Sequence, residues 1–338
     1  MSLRTDMNMI DSNRIAYRRK VQDLLDELHV KYDVDDVLLC PDGIDFTIPS
    51  KYLAIEIHSI RSEHSNITMP DSARKQGYHK KQHDMCEKAG YELLSLDDRQ
   101  LCEPVWSNIT RKFITMKITG HAEKTLYGRD VIIQQEKGSD AIKECADFVN
   151  RNHFSGTTKA TEWFTVRCKH DDDRQGFKRG EIVGVFSLRD IWNKPDDVEI
   201  ARVAWRADVQ VRYGLSKIVK VIRRLKTDRK HVISFSDNRM GNGLSYMKAG
   251  FRYDGATSPS LWFVNLDNPT DTYSWQVATR WGAQQGVIAK LIHPIDGLNN
   301  NEARKIVETI LPHRNDKGKG YYSYYDSGNK RWVLDLGE

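Results

Sequence analysis

Apolar residues recur at helical spacing over 14–30 (RIAYRRKVQDLLDELHV), where Ile15, Val21, Leu24, Leu25 and Leu28 fall on one side. Ser12 or Asn13 stands where the cap of such a helix is expected. The period then changes. Two short apolar runs, IDFTIP at 44–49 and YLAIEIHSI at 52–60, are parted by Ser50 and Lys51 and predict a β-hairpin. After a polar stretch at 61–72, ARKQGYHKKQHDMCEKAG predicts a helix closed by Gly90. YELLSL at 91–96 predicts a buried strand, and 103–118 a closing helix. Helix, hairpin, helix, strand and helix make one α/β unit over 1–118.

Gly120 and Gly128 lie amid mixed charge in 119–137, which predicts a connection between domains. A mixed α/β unit of a different pattern follows over 138–268. It has a helix at 139–151 and strands near 161–168, 181–188 and 198–206. A helix at 214–227, a strand at 231–236, a short helix at 242–249 and a strand near 260–265 complete it. The tail, 269–338, is rich in aromatic residues and closes on YYSYYDSGNKRWVLDL, which predicts a hairpin around Gly328 and Asn329. Tyr273, Trp275, Trp281, Tyr321, Tyr322, Tyr324, Tyr325 and Trp332 suit either the core of a small subdomain or stacking on bases.

Composition narrows the classes. Among 338 residues 39% are hydrophobic and 29% charged, and the mean hydropathy is −0.63. That is the make-up of a globular chain, neither disordered nor membrane-spanning. No apolar run approaches the roughly 18 residues of a spanning helix. The polar N-terminus is unlike an export signal, which predicts the cytoplasm, the host's if the gene is a phage's. The five cysteines are scattered without a CxxC pair, which argues against a zinc site or a disulfide framework. A net charge of +5 and a pI near 8.8 suit a nucleic-acid partner without requiring one.

Asp45 and Glu56 each interrupt an apolar strand, where an unpaired carboxylate is costly. Alternation sets Asp45 opposite to Ile44 and Phe46, and Glu56 opposite to Ile55 and Ile57. Across a tight hairpin two such oxygen donors lie within reach of one Mg²⁺ or Mn²⁺ ion, which can activate a water. Two solvent-facing carboxylates would satisfy the same spacing. His58 could orient or deprotonate that water. His79, Lys80 and Lys81 lie on the following helix, on a face suited to a phosphate or simply to solvent.

IDFTIPSKYLAIEIHSI followed by YHKKQHDMCEKAGYELLSL resembles the PD-(D/E)XK nuclease core, and within it the Vsr-like domain of phage homing endonucleases. Members of that family run D-[FI]-x-[IV]-P, A-I-E-[FY]-N-G, Y-H-x-x-K-T and C-x-x-x-G. The likeness spans about residues 35–115, with Asp42 a rival for the first acid. It departs at His58-Ser59, where the family has Asn-Gly, and at Gln82, where it has lysine. The resemblance implies a Mg²⁺-dependent endodeoxyribonuclease with Asp45 and Glu56 as metal ligands and double-stranded DNA as partner; His58 or Lys81 would assist the water as catalytic residue, and His79 or Lys81 could contact the scissile phosphate. Its biological role would be homing.

AIKECADFVNRNHFSG and HVISFSDNRMGNGLSYMKAGFRYDGATSPSLWFV resemble the acetyltransferase-like domain, related to the Mom-type DNA-modifying domain, that accompanies such nucleases. The resemblance implies a GNAT-like fold over 138–268. A coenzyme-binding member should carry Q/R-x-x-G-x-G/A before a helix, so that backbone N–H groups cradle a pyrophosphate. Here the stretch reads Val211-Arg212-Tyr213-Gly214-Leu215-Ser216, with one glycine and an apolar first residue. His153, Asp237 and Arg239 are site candidates of this domain, although an Asp237–Arg239 ion pair could equally serve to fix a loop. Lys217, Lys220, Arg223 and Arg224 form the basic face of the following helix and are candidates for DNA contact.

The expectation is therefore an endonuclease. The alternatives are a DNA-modifying GNAT-like transferase, separated by coenzyme binding, and a non-catalytic DNA-binding protein, separated by loss of cleavage. The oligomeric state stays open, since a monomer suits an asymmetric site and a dimer a palindrome.

Overall fold

The computed structural model describes residues 3–59, 72–265, 272–274 and 321–337. The chain divides into two units. The first comprises Met1–Cys102, Asn238–Gly241 and Ser258–Asn329, and the second Glu103–Asp237, Asn242–Thr257 and Lys330–Glu338.

The first unit begins with α1 (Leu3–Glu27), which buries Val21, Leu24 and Leu25 as the periodicity requires. The helix starts earlier than expected, so Ser12 and Asn13 lie within it rather than at its start. There follow β1 (Asp33–Val34), β2 (Phe46–Ile48), β3 (Leu53–His58), α2 (Ser72–Lys88), β4 (Glu92–Asp97) and the short α3 (Asp98–Leu101). The sheet order is β1-β2-β3-β4. The expected hairpin is present, with β2 and β3 antiparallel around a 3₁₀ turn at Pro49–Lys51. β4 lies parallel to β3, a pairing that needs a crossover, and α2 supplies it. α2 ends in the glycine stop foreseen from the sequence. Gly90 is left-handed (φ 83°), and the Tyr91 N–H returns to the Cys86 carbonyl at 2.8 Å. β3 is covered on both faces, so it reads as a continuous buried run with Glu56 and His58 inside it.

The second unit opens with a π-helical turn, Trp106–Thr110, running into α4 (Arg111–Thr119). Residues 119–137, expected as a plain connection, hold two strands, β5 (Lys124–Tyr127) and β6 (Val131–Glu136). Then come α5 (Ser139–Asn152), β7 (Glu162–Cys168), β8 (Ile182–Ile191), β9 (Lys194–Trp205) and β10 (Val209–Arg212). α6 (Gly214–Leu225), β11 (His231–Asp237), α7 (Leu244–Lys248) and β12 (Arg252–Ala256) follow. β13 (Leu261–Asn265), β14 (Thr272–Ser274) and β15 (Tyr321–Tyr325) form a three-stranded sheet of the first unit, in the order β14-β13-β15. The last strand, β16 (Asn329–Asp335), joins the seven-stranded sheet of the second unit, ordered β12-β16-β11-β9-β8-β7-β6. The tail is therefore not the hairpin its sequence predicted, because β15 and β16 belong to different sheets. Tyr325 and Trp332 are buried. The side chains of Tyr273, Tyr321, Tyr322 and Tyr324, and all of Trp275 and Trp281, lie outside the described residues.

Two features of the second unit shape its site. β9 and β11 are parallel but pair only from Asp197–His231 to Glu199–Ile233, although β9 runs on to Trp205 and β11 to Asp237. Beyond that pairing the two strands continue without a shared ladder. The second feature is a slot made by two glycines. A Cβ at Gly184 would stand 2.5 Å from Trp205 Cε3, and one at Gly214 2.7 Å from Trp205 Cη2. The indole of Trp205 occupies the space both glycines leave, beside the first turn of α6. The core around it includes Phe164 stacked on Phe186 at 4.5 Å between ring centroids, and Ile218 and Ile222 from the apolar face of α6.

Candidate functional site

The first unit gathers most of the residues singled out there. The register sets Asp45 across from Glu56, and both are buried. The Asp45 N–H donates to Glu56 Oε2 at 3.0 Å, and the Ile57 N–H to Asp45 Oδ2 at 2.7 Å. Arg14 and Arg18 close on Asp45 Oδ1 at 3.2 and 3.1 Å. Gln82 Nε2 approaches Glu56 Oε1 at 3.5 Å. Beside them the His58 and His79 rings meet edge to face at 4.2 Å, and His58 Nε2 lies 2.6 Å from Ser95 Oγ. Lys81 is exposed, Lys80 pairs with Asp84 one turn on, and Asp42 is exposed. At position 82, where the family has lysine, it is the glutamine that faces Glu56.

A metal pair does not fit this donor set. Each oxygen of Asp45 and Glu56 is already engaged by an arginine, a backbone N–H or the Gln82 amide. Burial pushes the Glu56 carboxyl well above the usual carboxylate range, and the Asp45 charge pushes it further, which favours a neutral acid over an anionic ligand. Among the described residues no group of three or more His, Cys, Asp or Glu side chains could hold a metal ion.

In the second unit a polar cluster collects where β9 and β11 part. Arg202 projects from β9, and its Nε donates to the Gly156 carbonyl at 2.8 Å. Tyr246 of α7 has its hydroxyl 3.0 Å from Ser234 Oγ of β11, and burial raises its pKa above the usual phenol range. His153 ends α5, and its Nδ1 accepts the Ser155 N–H at 3.1 Å, which places the proton of the neutral ring on Nε2. Burial and then the Arg202 charge push the His153 imidazole down to about 3, with Asp237 pulling the other way. The unfolded chain protonates this ring near pH 6.5 and the folded chain only near 3, so stability falls as pH drops through that window. In a ¹⁵N-edited histidine titration, His153 should stay neutral from pH 8 to pH 5; a midpoint near 6.5 would contradict the buried placement.

Arg239, named with His153 and Asp237 from the sequence, has its own surroundings. It belongs to the first unit, where it is buried, lies 3.5 Å from Asp97 Oδ2 and rests over the Trp262 ring at 5.4 Å. The basic face expected on α6 is only partly free. Lys220 and Arg224 are exposed, whereas Arg223 is half-buried and donates to the Asp335 carbonyl at 3.2 Å, and Lys226 pairs with Glu162. Lys217 and Lys220 help line a cavity of about 530 Å³ beside the start of α6, with Tyr127, Arg129, Tyr213 and Ser216.

No family model matches the chain, and no curated protein matches it. Solved structures do. An acetyltransferase of Bacillus subtilis in complex with CoA is similar at 16% identity, over 61% of this chain and 98% of that one, with a TM-score of 0.32. A GNAT family acetyltransferase of Elizabethkingia anophelis with acetyl-CoA bound is similar at 13% identity over 61% and 98%, with a TM-score of 0.31. An IAA acetyltransferase of Bacillus cereus is similar at 12% identity over 61% and 99%, with a TM-score of 0.28. At these identities and TM-scores the likeness concerns fold alone, and the chain's own helices and sheets make it a mixed α/β protein.

These neighbours are acetyltransferases, two of them with CoA or acetyl-CoA bound, and not the Mg²⁺- or Mn²⁺-dependent endonucleases that the sequence led us to expect. The engaged carboxylates of Asp45 and Glu56 are the local reason against that metal. Among the described residues no helix is long and apolar enough to cross a membrane. Arg202, Ser234, Tyr246 and Arg129 were not foreseen. Arg202 and Ser234 sit in runs whose pattern signals only strand. Tyr246 lies in the stretch that follows β11, where nothing local marks its hydroxyl as buried.

Proposed function

We propose that the second unit is a group transferase that moves an acyl-type group from a thioester coenzyme onto double-stranded DNA. One observation carries this reading: β9 and β11 lose their shared ladder after Ile233–Glu199, and Arg202, Ser234, Tyr246, His153 and Asp237 collect at that opening. A bound coenzyme of this class supplies an activated acyl carbon and a sulfur leaving group.

The chain's own groups have distinct tasks. The first N–H groups of α6 have no intrahelical acceptor, and Tyr213 before them provides no side-chain cap, so they remain donors for phosphate oxygens. Lys217 and Lys220 add charge to the same cavity. Tyr246 keeps its proton at Oη through the neutral range, because burial disfavours the phenolate, and so can act as an acid. Asp237, at the end of β11, would take a proton from an incoming amine. His153, neutral with its proton on Nε2, orients rather than titrates. The exposed Arg224, together with the net charge of +5, favours a polyanionic acceptor.

The test is transfer of label from radioactive acetyl-CoA to duplex DNA. Wild type should label the duplex, and Tyr246→Phe should do so about 100-fold more slowly at unchanged coenzyme affinity. Absence of both coenzyme binding and transfer in the wild type would sink the proposal.

A further inference from the structure

The loop before α6 lacks the side chain that would be expected to assist a diphosphate, since Val211 stands at its first position. The structure brings a cation to the same cavity from elsewhere in the chain. β5 lies parallel to β10, pairing Lys124–Val209 through Tyr127–Arg212, and the Gly128 N–H continues the contact to the Arg212 carbonyl at 2.8 Å. Gly128 is pressed against the start of α6 so closely that a Cβ there would meet the Tyr213 carbonyl oxygen at 3.1 Å and Lys217 Cβ at 3.5 Å. This close approach delivers the next residue, Arg129, to the cavity wall facing Lys217 and Lys220.

The wall is one-sided in charge. Its lining comprises Tyr127, Gly128, Arg129, Tyr213, Ser216, Lys217 and Lys220, three cations and no acid. Lys217 and Lys220 have no ion-pair partner among the described residues, and Arg129 meets Asp130 only at 3.7 Å. The Arg129 guanidinium rests over the Tyr127 ring at 5.3 Å, which holds the fork at the rim. Tyr213 is 74% exposed at the same rim. Two cations without an ion pair, a third only loosely paired, and two exposed phenol rings suit a ligand that carries several phosphates and an aromatic base.

We infer that the Gly128–Asp130 turn is part of the coenzyme seat, with Arg129 supplying the phosphate contact that position 211 lacks and, with Lys220, selecting a coenzyme whose nucleotide bears an additional phosphate. This rests on the transferase reading above. Arg129 is a binding residue in this scheme and takes no part in the proton transfers.

Calorimetric titration of the full chain with CoA, dephospho-CoA and adenosine 3′,5′-bisphosphate tests it without relying on turnover. Wild type should bind CoA about tenfold more tightly than dephospho-CoA, with the difference shrinking as salt rises. Arg129→Met, at a side chain 83% exposed and so of little consequence for folding, should weaken CoA roughly tenfold and reduce that preference. Lys169→Met serves as the control for loss of one charge. Should wild type bind CoA while Arg129→Met binds it equally well, or while dephospho-CoA binds as tightly as CoA, the inference is overturned and the transferase reading survives. Should wild type bind none of the three, both fall together.

Discussion

Trp205→Ala should destabilise the second unit by about 3 kcal/mol, within the range for removing a large aromatic from a packed site. The value is set below the top of that range because Trp205 is only partly buried. Its ring fills a slot bounded by Gly184 and Gly214, so the alanine variant leaves a void against both. The glycines cannot close the gap, since neither has a side chain to move. Urea unfolding should show the loss directly, and the melting temperature should drop by roughly 2–4 °C per kcal/mol. Gly184→Ala probes the same slot from the other side, since its Cβ would overlap the indole at 2.5 Å and force it to shift. If Trp205→Ala melts within 1–2 °C of wild type, the slot is not the wedge described.

The second large effect concerns the buried carboxylates, and its signature is opposite signs at neighbouring positions. Asp45→Ala removes a partner of Arg14 and of Arg18, whose side chains are 26% and 28% exposed, and leaves the Ile57 N–H without its acceptor, although Arg18 keeps Asp35 at 2.9 Å. Breaking one side of a buried pair costs about 3–5 kcal/mol, and partial exposure of the arginines places this case near 3. Glu56→Gln should instead be neutral or stabilising. Burial and the Asp45 charge raise the folded pKa of Glu56 above the unfolded value of 4.5, so its stabilising contribution is complete below pH 4.5 and is lost as pH rises through the folded pKa. Glutamine imitates the protonated acid, so its advantage over glutamate should appear at pH 8 and vanish at pH 4. Thermal melts of both variants at the two pH values check this. Equal losses at pH 8 would mean that Glu56 is held as an anion and that the pairing here is wrongly described.

Much of the fold was legible because its signals are local. The 3.6 period of α1 and α6, the hairpin around Ser50 and Lys51, and the stop at Gly90 each depend on a few adjacent residues. β5 and β6 were missed because KTLY and VIIQQE are short and flanked by glycine and charge, which also describes a connection. The tail was misjudged for another reason. YYSYY, a turn and KRWVL make a sound hairpin by local rules, and only long-range pairing sends β15 to β13 and β16 to β11 and β12. The candidate site was legible only in part. His153 and Asp237 could be singled out, but Tyr246 needs Ser234 and the parting of β9 and β11 to acquire meaning. Arg239 lies against Asp97 and over Trp262, partners far along the chain that no local pattern announces. Asp45 and Glu56 were correctly brought together, yet their partners Arg14 and Arg18 lie on α1, whose charged face looks like ordinary solvent exposure.

The placement of β16 between β12 and β11 has a consequence for synthesis on the ribosome. By residue 257 every other strand of the seven-stranded sheet has been made, but β11 still faces an empty lane until residues 330–335 emerge. During that interval the chain must produce 258–329, which belong to the first unit, while β11 and β12 each expose unpaired N–H and C=O groups to any passing strand. The nascent protein thus carries a ready template for mispairing through the whole of that delay, and a slow codon or a cold growth temperature within it lengthens the exposure. Expression yield should therefore respond to chaperone supply and to elongation speed over this stretch.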